Sequence, residues 1–503
     1  MRCGYSFVHQ SLDLKVFPPD IPAEVSRSVN KIIISDNTRL IPVRNAPKDE
    51  SPIIHLLFAL RVEGINLAIL SAALRKIPAS EIRAAVVEHP SSRYVRILGF
   101  LWEAFNNCEL EDVNPAGPRV DLFDSSQYIV GTPVCNNKWR VVFNGLGNLD
   151  YCPIVRKTPQ IIQALTDQPL KRARDWFKTI GELNAERAMQ WAYLHETKGT
   201  YALERESEPS GDRRARFLSL LGKAFLQTPL TEDLLCDYQS DIVNNPYFLE
   251  FSIRQKQNWL GTGNPRNERS SMSVRYVPPS PDLLAKLMPA WLSMANSLPK
   301  TVAPIVAAAC TSFGFVYLHP FLDGNGRLSR FLVHQQLAQS GELEPGMLLP
   351  ISVAMQKNEL SYLNALTVFS KPAREFWKVV YTGSNPEFDC DFMGDDALYR
   401  FWDATSQAEF LFEMTRQALD VHLIEEVHFL NNFDAISKKV AEEYDLEQIV
   451  LFKLVSLCLE RNGKFSKRIR EKFAERVGFP SVYDRIEELT QKALLDQDLD
   501  DFD

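Results

Sequence analysis

Apolar positions along this chain recur mostly at helical spacing, and one stretch stands apart because charge disappears from it altogether. Thr301 to Leu318 carries no charged residue, which just reaches the length of a membrane span. Pro304, Thr311, Ser312 and Gly314 interrupt it, and it runs directly into a Gly-rich polar loop. A buried core helix that positions that loop is therefore the expectation. Pro52 to Leu60, then Ile65, Leu67, Ile69, Leu70, Ala73 and Leu74, predict an N-terminal helical stretch ending at Pro78. Val86, Val87, Ile97, Leu98, Leu101 and Trp102 predict a second one, read as a plain helical domain in preference to a helix-turn-helix. Residues 1 to about 50 are Pro-rich and weakly periodic, with Phe17 to Pro22 extended.

The pattern changes between Asp121 and Val155. Trp139 to Phe143, followed by Asn144-Gly-Leu-Gly147, predicts a β-hairpin with a Gly-rich turn. Gly145 and Gly147 lack the third glycine and following helix of a nucleotide loop. Helical pattern returns over 158–203, breaks in a polar run from Glu204 to Arg216, and resumes at Phe217–Phe225 and Leu230–Tyr238. Asn258 to Pro281 is rich in Gly, Ser, Asn and Pro, and Thr382 to Asp396 is expected to be a polar boundary loop. The last hundred residues predict helices, with Val427, Phe429, Leu430, Phe433, Ile436 and Val440 as one stripe, Ile449 to Leu459 as another, and Tyr483 to Leu494 as a third. The acidic end, Asp496 to Asp503, is expected to be disordered. The expected architecture is mainly α. A mixed α/β region at 1–157 precedes a helical core at 158–400 and a C-terminal helical, winged-helix-like domain at 401–503.

Composition narrows the function classes. A net charge of −8 gives no global attraction to nucleic acid or an anionic membrane. Eight scattered cysteines, without a C-x-x-C pair or a Cys/His cluster, suit a reducing compartment. No signal peptide is visible, so a cytoplasmic location and no membrane partner are expected. Lys464, Lys467, Arg468, Arg470, Lys472 and Arg476 form a local basic cluster, read as a solvated face or as a nucleic-acid contact.

The chemistry concentrates in His319-Pro-Phe-Leu-Asp-Gly-Asn-Gly-Arg-Leu-Ser-Arg330. His319 is a base of suitable type. Asp323 is a hard-oxygen metal ligand, and a carboxylate beside a phosphate site suggests Mg²⁺. Gly324, Asn325 and Gly326 allow close backbone approach where a helix begins, which makes an anion site of the helix N-terminus. Arg327 and Arg330 are three residues apart, share a helix face and can hold one polyanion. Phe321 is expected to anchor the loop in the core.

This stretch resembles the signature His-x-Phe-x-(Asp/Glu)-Gly-Asn-Gly-Arg-x-x-Arg of the Fic family (filamentation induced by cAMP) and fills every fixed position. Arg254 to Pro281, ending in Val277-Pro-Pro-Ser-Pro281, resembles the family's flap, a β-hairpin that aligns the target segment and lies over the nucleotide. Thr200-Tyr-Ala-Leu-Glu204 resembles the family's inhibitory helix, (Ser/Thr)-x-x-x-Glu-(Gly/Asn), with Arg205 departing from the pattern. Asn358 to Leu366 sits where the family has a helix with paired tyrosines; Tyr362 matches the first and Leu363 replaces the second. The resemblance covers roughly residues 160–380.

The resemblance implies a Fic-type helical core with a small β-hairpin flap. It implies transfer of AMP from ATP to a Ser, Thr or Tyr hydroxyl of a protein, which includes the chain itself. His319 would be the base and Asp323 the Mg²⁺ ligand. The stretch Gly324, Asn325, Gly326, Arg327, Leu328, Ser329 and Arg330 would hold the nucleotide, with Ser273, Val274, Arg275 and Tyr276 of the flap over it. Tyr362 is expected as a core residue or an adenine contact. Glu204, with Thr200 one turn before it, would pair with Arg330 and keep ATP in an unproductive pose. A homodimer stays open. So do two other functions: removal of AMP or transfer of a different phosphate-containing group on the same fold, and nucleic-acid binding through the C-terminal helices.

Overall fold

The computed structural model describes residues 1–206, 211–243, 250–261, 271–383 and 387–500. The N-terminal region opens with α1 (Gly4–Ser11) and a three-stranded sheet, β1 (Ala23–Ser26), β2 (Ile33–Ser35) and β3 (Thr38–Pro42), ordered β1-β3-β2. Four helices follow: α2 (Pro52–Val62), α3 (Leu67–Leu74), α4 (Ala79–Glu88) and α5 (Arg93–Asn106). A second small sheet, β4 (Val120–Asp121), β5 (Val134–Asn136) and β6 (Val141–Phe143), is ordered β4-β6-β5.

The hairpin therefore lies one step earlier than the sequence suggests. Its strands are β5 and β6, and Trp139 belongs to the turn, where its backbone N–H donates to Asn136 Oδ1 at 2.9 Å. Arg140 completes that turn with φ +52°. Trp139 is fully buried, so its apolar character marks the core and not a strand. Gly145 and Gly147 form a packed loop; a Cβ on Gly145 would lie 2.6 Å from Cys152 Sγ.

The central region holds α6 (Pro159–Asp167), α7 (Pro169–Thr179), α8 (Glu182–Leu203), α9 (Gly211–Lys223) and α10 (Glu232–Ile242). The run from Glu204 to Arg216 is thus not all loop, because α9 starts at Gly211; residues 207–210 lie outside the described residues. The flap contributes β7 (Leu260–Gly261) and β8 (Val274–Tyr276), antiparallel with a register shift; its residues 262–270 lie outside the description. Then come α11 (Pro281–Ser297), α12 (Pro304–Leu318), α13 (Asn325–Gln339), α14 (Ile351–Lys357) and α15 (Glu359–Arg374).

α12 is the uncharged stretch. Pro304 opens it, a position where the missing N–H costs nothing. All but one of its residues are buried, and it packs as a hairpin against α13. Among the described residues no helix is long and apolar enough to cross a membrane.

Beyond α15, β9 (Trp377–Tyr381) and β10 (Phe388–Phe392) pair antiparallel. The expected boundary loop Thr382–Asp396 therefore contains a strand. Phe388, Cys390 and Phe392 alternate with Asp389 and Asp391, and that period of two was hidden by the acidic count. β9 and β10 join Val274 and Val277 in a small core under the flap.

α16 (Ala397–Arg400) and α17 (Thr405–Gln417) follow, then a π-helical turn and α18 (Ile424–Glu443). The central core does not stop at residue 400. It continues through Val427, because α17 packs against α12. A separate core then forms from α18, α19 (Gln448–Leu459), α20 (Lys467–Val477) and α21 (Ser481–Asp500). α21 continues to Asp500 where disorder is expected from composition, and residues 501–503 lie outside the description.

The N-terminal region is stitched to the central one. Ile154 N–H donates to Trp402 O at 2.9 Å, Ala404 N–H to Ile154 O at 2.7 Å, and Arg156 Nε to Asp403 Oδ2 at 2.9 Å.

Candidate active site

His319 ends α12 in the left-handed region, φ +49°, which turns the chain sharply into the loop. Phe321 is fully buried and plugs the loop into the core, as expected. Asn325 does not reach outward for phosphate. Its Oδ1 accepts the Phe321 N–H at 3.0 Å and its Nδ2 donates to Phe321 O at 2.7 Å, closing the loop on itself. Gly324 has φ +88°, and a Cβ there would meet Val243 Cγ2 at 3.0 Å. Leu328 is buried in the core, and the Ser329 hydroxyl donates back to Gly326 O at 2.8 Å. Of the expected nucleotide-binding stretch, then, Asn325, Leu328 and Ser329 direct their side chains to the fold. What remains for an anion is the N-terminal turn of α13 and the two arginines.

Both arginines are occupied by acids from the end of α8. Arg330 is 3% exposed. Its Nε donates to Thr200 Oγ1 at 2.6 Å, its Nη2 to Thr200 O at 2.9 Å and to Glu204 Oε1 at 2.7 Å, and its Nη1 to Tyr362 Oη at 3.3 Å. A Cβ built on Gly326 would lie 2.2 Å from Glu204 Oε1. Only glycine at 326 lets the carboxylate come so close to the first turn of α13, where a helix N-terminus favours an anion. Burial raises the Glu204 carboxyl, but the Arg330 charge and hydrogen bond, with Arg327 and His319 behind them, hold it below the usual carboxylate range. Burial likewise opposes the charge on Arg330, and Glu204 more than offsets it.

Arg327 donates to Asp323 Oδ1 at 3.2 Å, and Glu206 Oε1 lies 3.3 Å from its Nη1. Glu206 in turn accepts from Arg213 of α9 at 2.6 Å. Sequence reasoning missed Glu206, since it lies beyond the inhibitory pattern. Arg205 has φ +57°. A left-handed residue at a helix end favours Gly or Asn, the residue types of the resembling pattern, so Arg205 holds that conformation at a cost of roughly 1 kcal/mol. Its side chain points away, with Glu359 at 3.8 Å.

His319 is buried, and its Nδ1 faces Val316 O at 3.3 Å. That contact assigns the ring proton to Nδ1 and leaves Nε2 to accept one. Burial first, and then the Arg254 charge, push its pKa down to about 4, against smaller upward pulls from Val316 O and Glu204. The imidazole is thus neutral at physiological pH, as a base must be.

Asp323 Oδ1 accepts the Gly324 N–H at 2.6 Å besides its bond to Arg327, and about half of its side chain is open to solvent. One exposed carboxylate suits a hard cation that takes its other ligands from phosphate and water. Among the described residues no group of three or more His, Cys, Asp or Glu gathers to form a self-sufficient metal site.

The flap residues separate by the strand period. Val274 and Tyr276 point inward, while Arg275 is exposed. Tyr276 is buried, and its Oη donates to Tyr317 O at 2.6 Å. Ser273 is buried. Arg374 ties the flap down by donating to Ser271 O at 3.1 Å, Val274 O at 3.0 Å and Trp377 O at 2.7 Å. Tyr362 is buried, and its Oη accepts from Arg330 Nη1 at 3.3 Å. The basic cluster of the C-terminal region lies apart, on and beside α20.

The site thus combines a histidine at the end of one buried helix, an anion-accepting turn at the start of the next and a paired hairpin beside them. The Fic/DOC family model matches residues 229–337. A protein named protein adenylyltransferase Fic from Nematostella vectensis is 29% identical over 205 residues, covering 37% of this chain and 47% of that protein. One of the same name from Drosophila yakuba is 40% identical over 78 residues, 15% of each chain. The chain therefore spans about half the length of the first of these relatives and far less of the second. A solved Fic family protein from Desulfovibrio desulfuricans superposes over 66% of this chain and 92% of its own, with 17% identity and a TM-score of only 0.40.

Proposed function

We propose that this chain is a protein adenylyltransferase that transfers AMP from ATP to a Ser, Thr or Tyr hydroxyl of a protein, held inactive by Glu204. The observation that carries this is the Glu204 carboxylate, seated between Arg330 and the Gly326 end of α13. A carboxylate and a phosphate oxygen compete for the same guanidinium and the same helix terminus.

In the released state Arg330 and Arg327 bind the outer phosphates of ATP, and the first turn of α13 receives the α- and β-phosphates. The acceptor hydroxyl gives its proton to His319 Nε2 as its oxygen bonds to the α-phosphorus. The bond from that phosphorus to the bridging oxygen of the β-phosphate breaks, and pyrophosphate leaves into the field of the two arginines. Mg²⁺ held at Asp323 would supply further positive charge to the departing phosphates. Arg275, the exposed member of β8, is the flap side chain left to meet a target.

The test uses Glu204→Gly protein with α-labelled and γ-labelled ATP, alone and with a cell lysate. Only the α-label should become protein-bound. Transfer of the γ-label instead would make the chain a kinase-type transferase, and no transfer of either would sink the proposal.

A further inference from the structure

Arg254 is buried, 3% exposed, and among the described residues no carboxylate forms an ion pair with it. A buried unpaired guanidinium is costly unless its donors are all met. Here main-chain carbonyls meet them. Nε donates to His319 O at 2.8 Å, Nη1 to Lys256 O at 3.0 Å, and Nη2 to Pro279 O and, at 3.5 Å, to Leu318 O. The Arg254 backbone N–H also donates to Pro320 O at 2.8 Å.

These acceptors fall into two groups. Leu318, His319 and Pro320 are consecutive at the end of α12, where helical carbonyls lack intrahelical partners and a positive charge is favoured. Pro279 and Lys256 belong to the two ends of the flap. One planar fork therefore spans the turn that carries the base and the element beside which a target would lie. The left-handed backbone of His319, φ +49°, costs roughly 1 kcal/mol in a non-glycine residue, and the Arg254 hydrogen bonds to residues 318–320 brace it.

We propose that Arg254 is a positioning residue that fixes the backbone of His319 relative to the flap, so that the base and the acceptor strand are set as one unit. This rests on His319 being the base of the proposed transfer. The charged and titratable groups around the pair are Glu204 from the end of α8, facing His319, and Glu250, Tyr276 and Tyr399, facing Arg254. Glu250 acts on Arg254 only at a distance; its Oε1 accepts the Leu322 N–H at 2.9 Å.

The test compares Arg254→Met and Arg254→Lys in the full chain carrying Glu204→Gly. With α-labelled ATP and Mg²⁺, kcat for self-labelling should fall about 100-fold in both, the scale of a misplaced catalytic group. KM for ATP should stay within about twofold, since the arginines that bind it are untouched. Lysine keeps the charge but not the fork, so rescue by Arg254→Lys would overturn the proposal. Amide hydrogen exchange without ATP reads the same hold independently of transfer. Exchange at the His319 and Phe321 amides should quicken at least ~10-fold in both variants, with the middle of α12 and α13 unchanged. Uniform quickening along both helices, or none at His319, overturns the proposal. If Glu204→Gly alone transfers no label, the functional assignment fails while the exchange result still decides the role of Arg254.

Discussion

Two arginine clusters of this molecule look alike in sequence and differ in structure. Arg327 and Arg330 open α13; Arg468, Arg470 and Arg476 ride on α20. Each cluster invites an anion, and in each two arginines already hold acids. On α20 the acids are neighbours of the same small domain. Arg470 pairs with Asp484 and Glu487 of α21 at 2.8 Å each, and Arg476 pairs with Glu447. These are exposed or half-exposed pairs that stabilise little and compete with any outside ligand. At α13 the arginines are buried, and beside the local Asp323 two of their acids, Glu204 and Glu206, arrive from the end of α8, more than a hundred residues away in sequence. On the proposed function the contrast separates a cation that is merely satisfied from one that is held in reserve: the reserve is buried, and its partner sits at a helix end.

The largest effect should come from His319→Ala. Transfer of α-label in the Glu204→Gly chain should fall by ~10²–10⁴, while ATP binding by equilibrium dialysis stays unchanged. Retained transfer would remove the base from His319 and with it the functional half of the comparison.

Next is Glu204→Gly itself. Self-labelling should rise roughly 5- to 150-fold, the factor that a coupling of about 1–3 kcal/mol gives. Because 36% of the Glu204 side chain meets water, losing the pair should cost only about 1–2 kcal/mol of stability in urea unfolding, below the figure for a fully buried pair. An unchanged labelling rate would mean that Arg330 is simply satisfied, as on α20.

A pH series sharpens the same point. The Glu204 carboxyl lies below its usual range in the folded chain. Its pairing is therefore fully present above the unfolded value near ~4.3 and is lost only as pH falls through the lower folded one. Self-labelling of the unaltered chain should stay low from pH 8 to about 5.5; a rise near pH 6 would contradict the pairing.

Glu206→Ala should act more weakly, raising labelling by about fivefold or less, as befits a part-exposed pair worth about 1 kcal/mol. Smallest is the α20 cluster. Changing Arg468 and Lys472 to Ala should leave labelling unchanged, and no gel shift of duplex DNA is expected at low salt. A shift abolished by those changes would make the second cluster a reserve as well.

Much of this was legible because the chemistry is contiguous. His319 to Arg330 supplies base, carboxylate, glycines and arginines within one loop, and the uncharged run before it fixes a buried helix. Polar counting failed where alternation mattered, as at Phe388 to Phe392, and apolar counting failed where a turn was buried, as at Trp139. The roles of Asn325, Tyr276 and Arg254 were not legible, because each depends on main-chain carbonyls or N–H groups that have no letter in a sequence. Glu206 was hidden for another reason: its partner is chosen by how α8 ends, and Arg205 shapes that end.

The way α8 is seated limits how the proposed brake on Arg330 could be released. Glu196 is fully buried and holds both His334, at 2.7 Å, and the Ser352 N–H, at 2.8 Å. One turn on, a Cβ at Gly199 would lie 3.0 Å from the backbone of α14. The helix is part of the wall and has nowhere to go. Under the proposed function, release of Arg330 is expected by fraying of the final turn, Tyr201 to Glu204, rather than by lifting the whole helix. Exchange protection should therefore drop at that turn on activation and persist at Glu196.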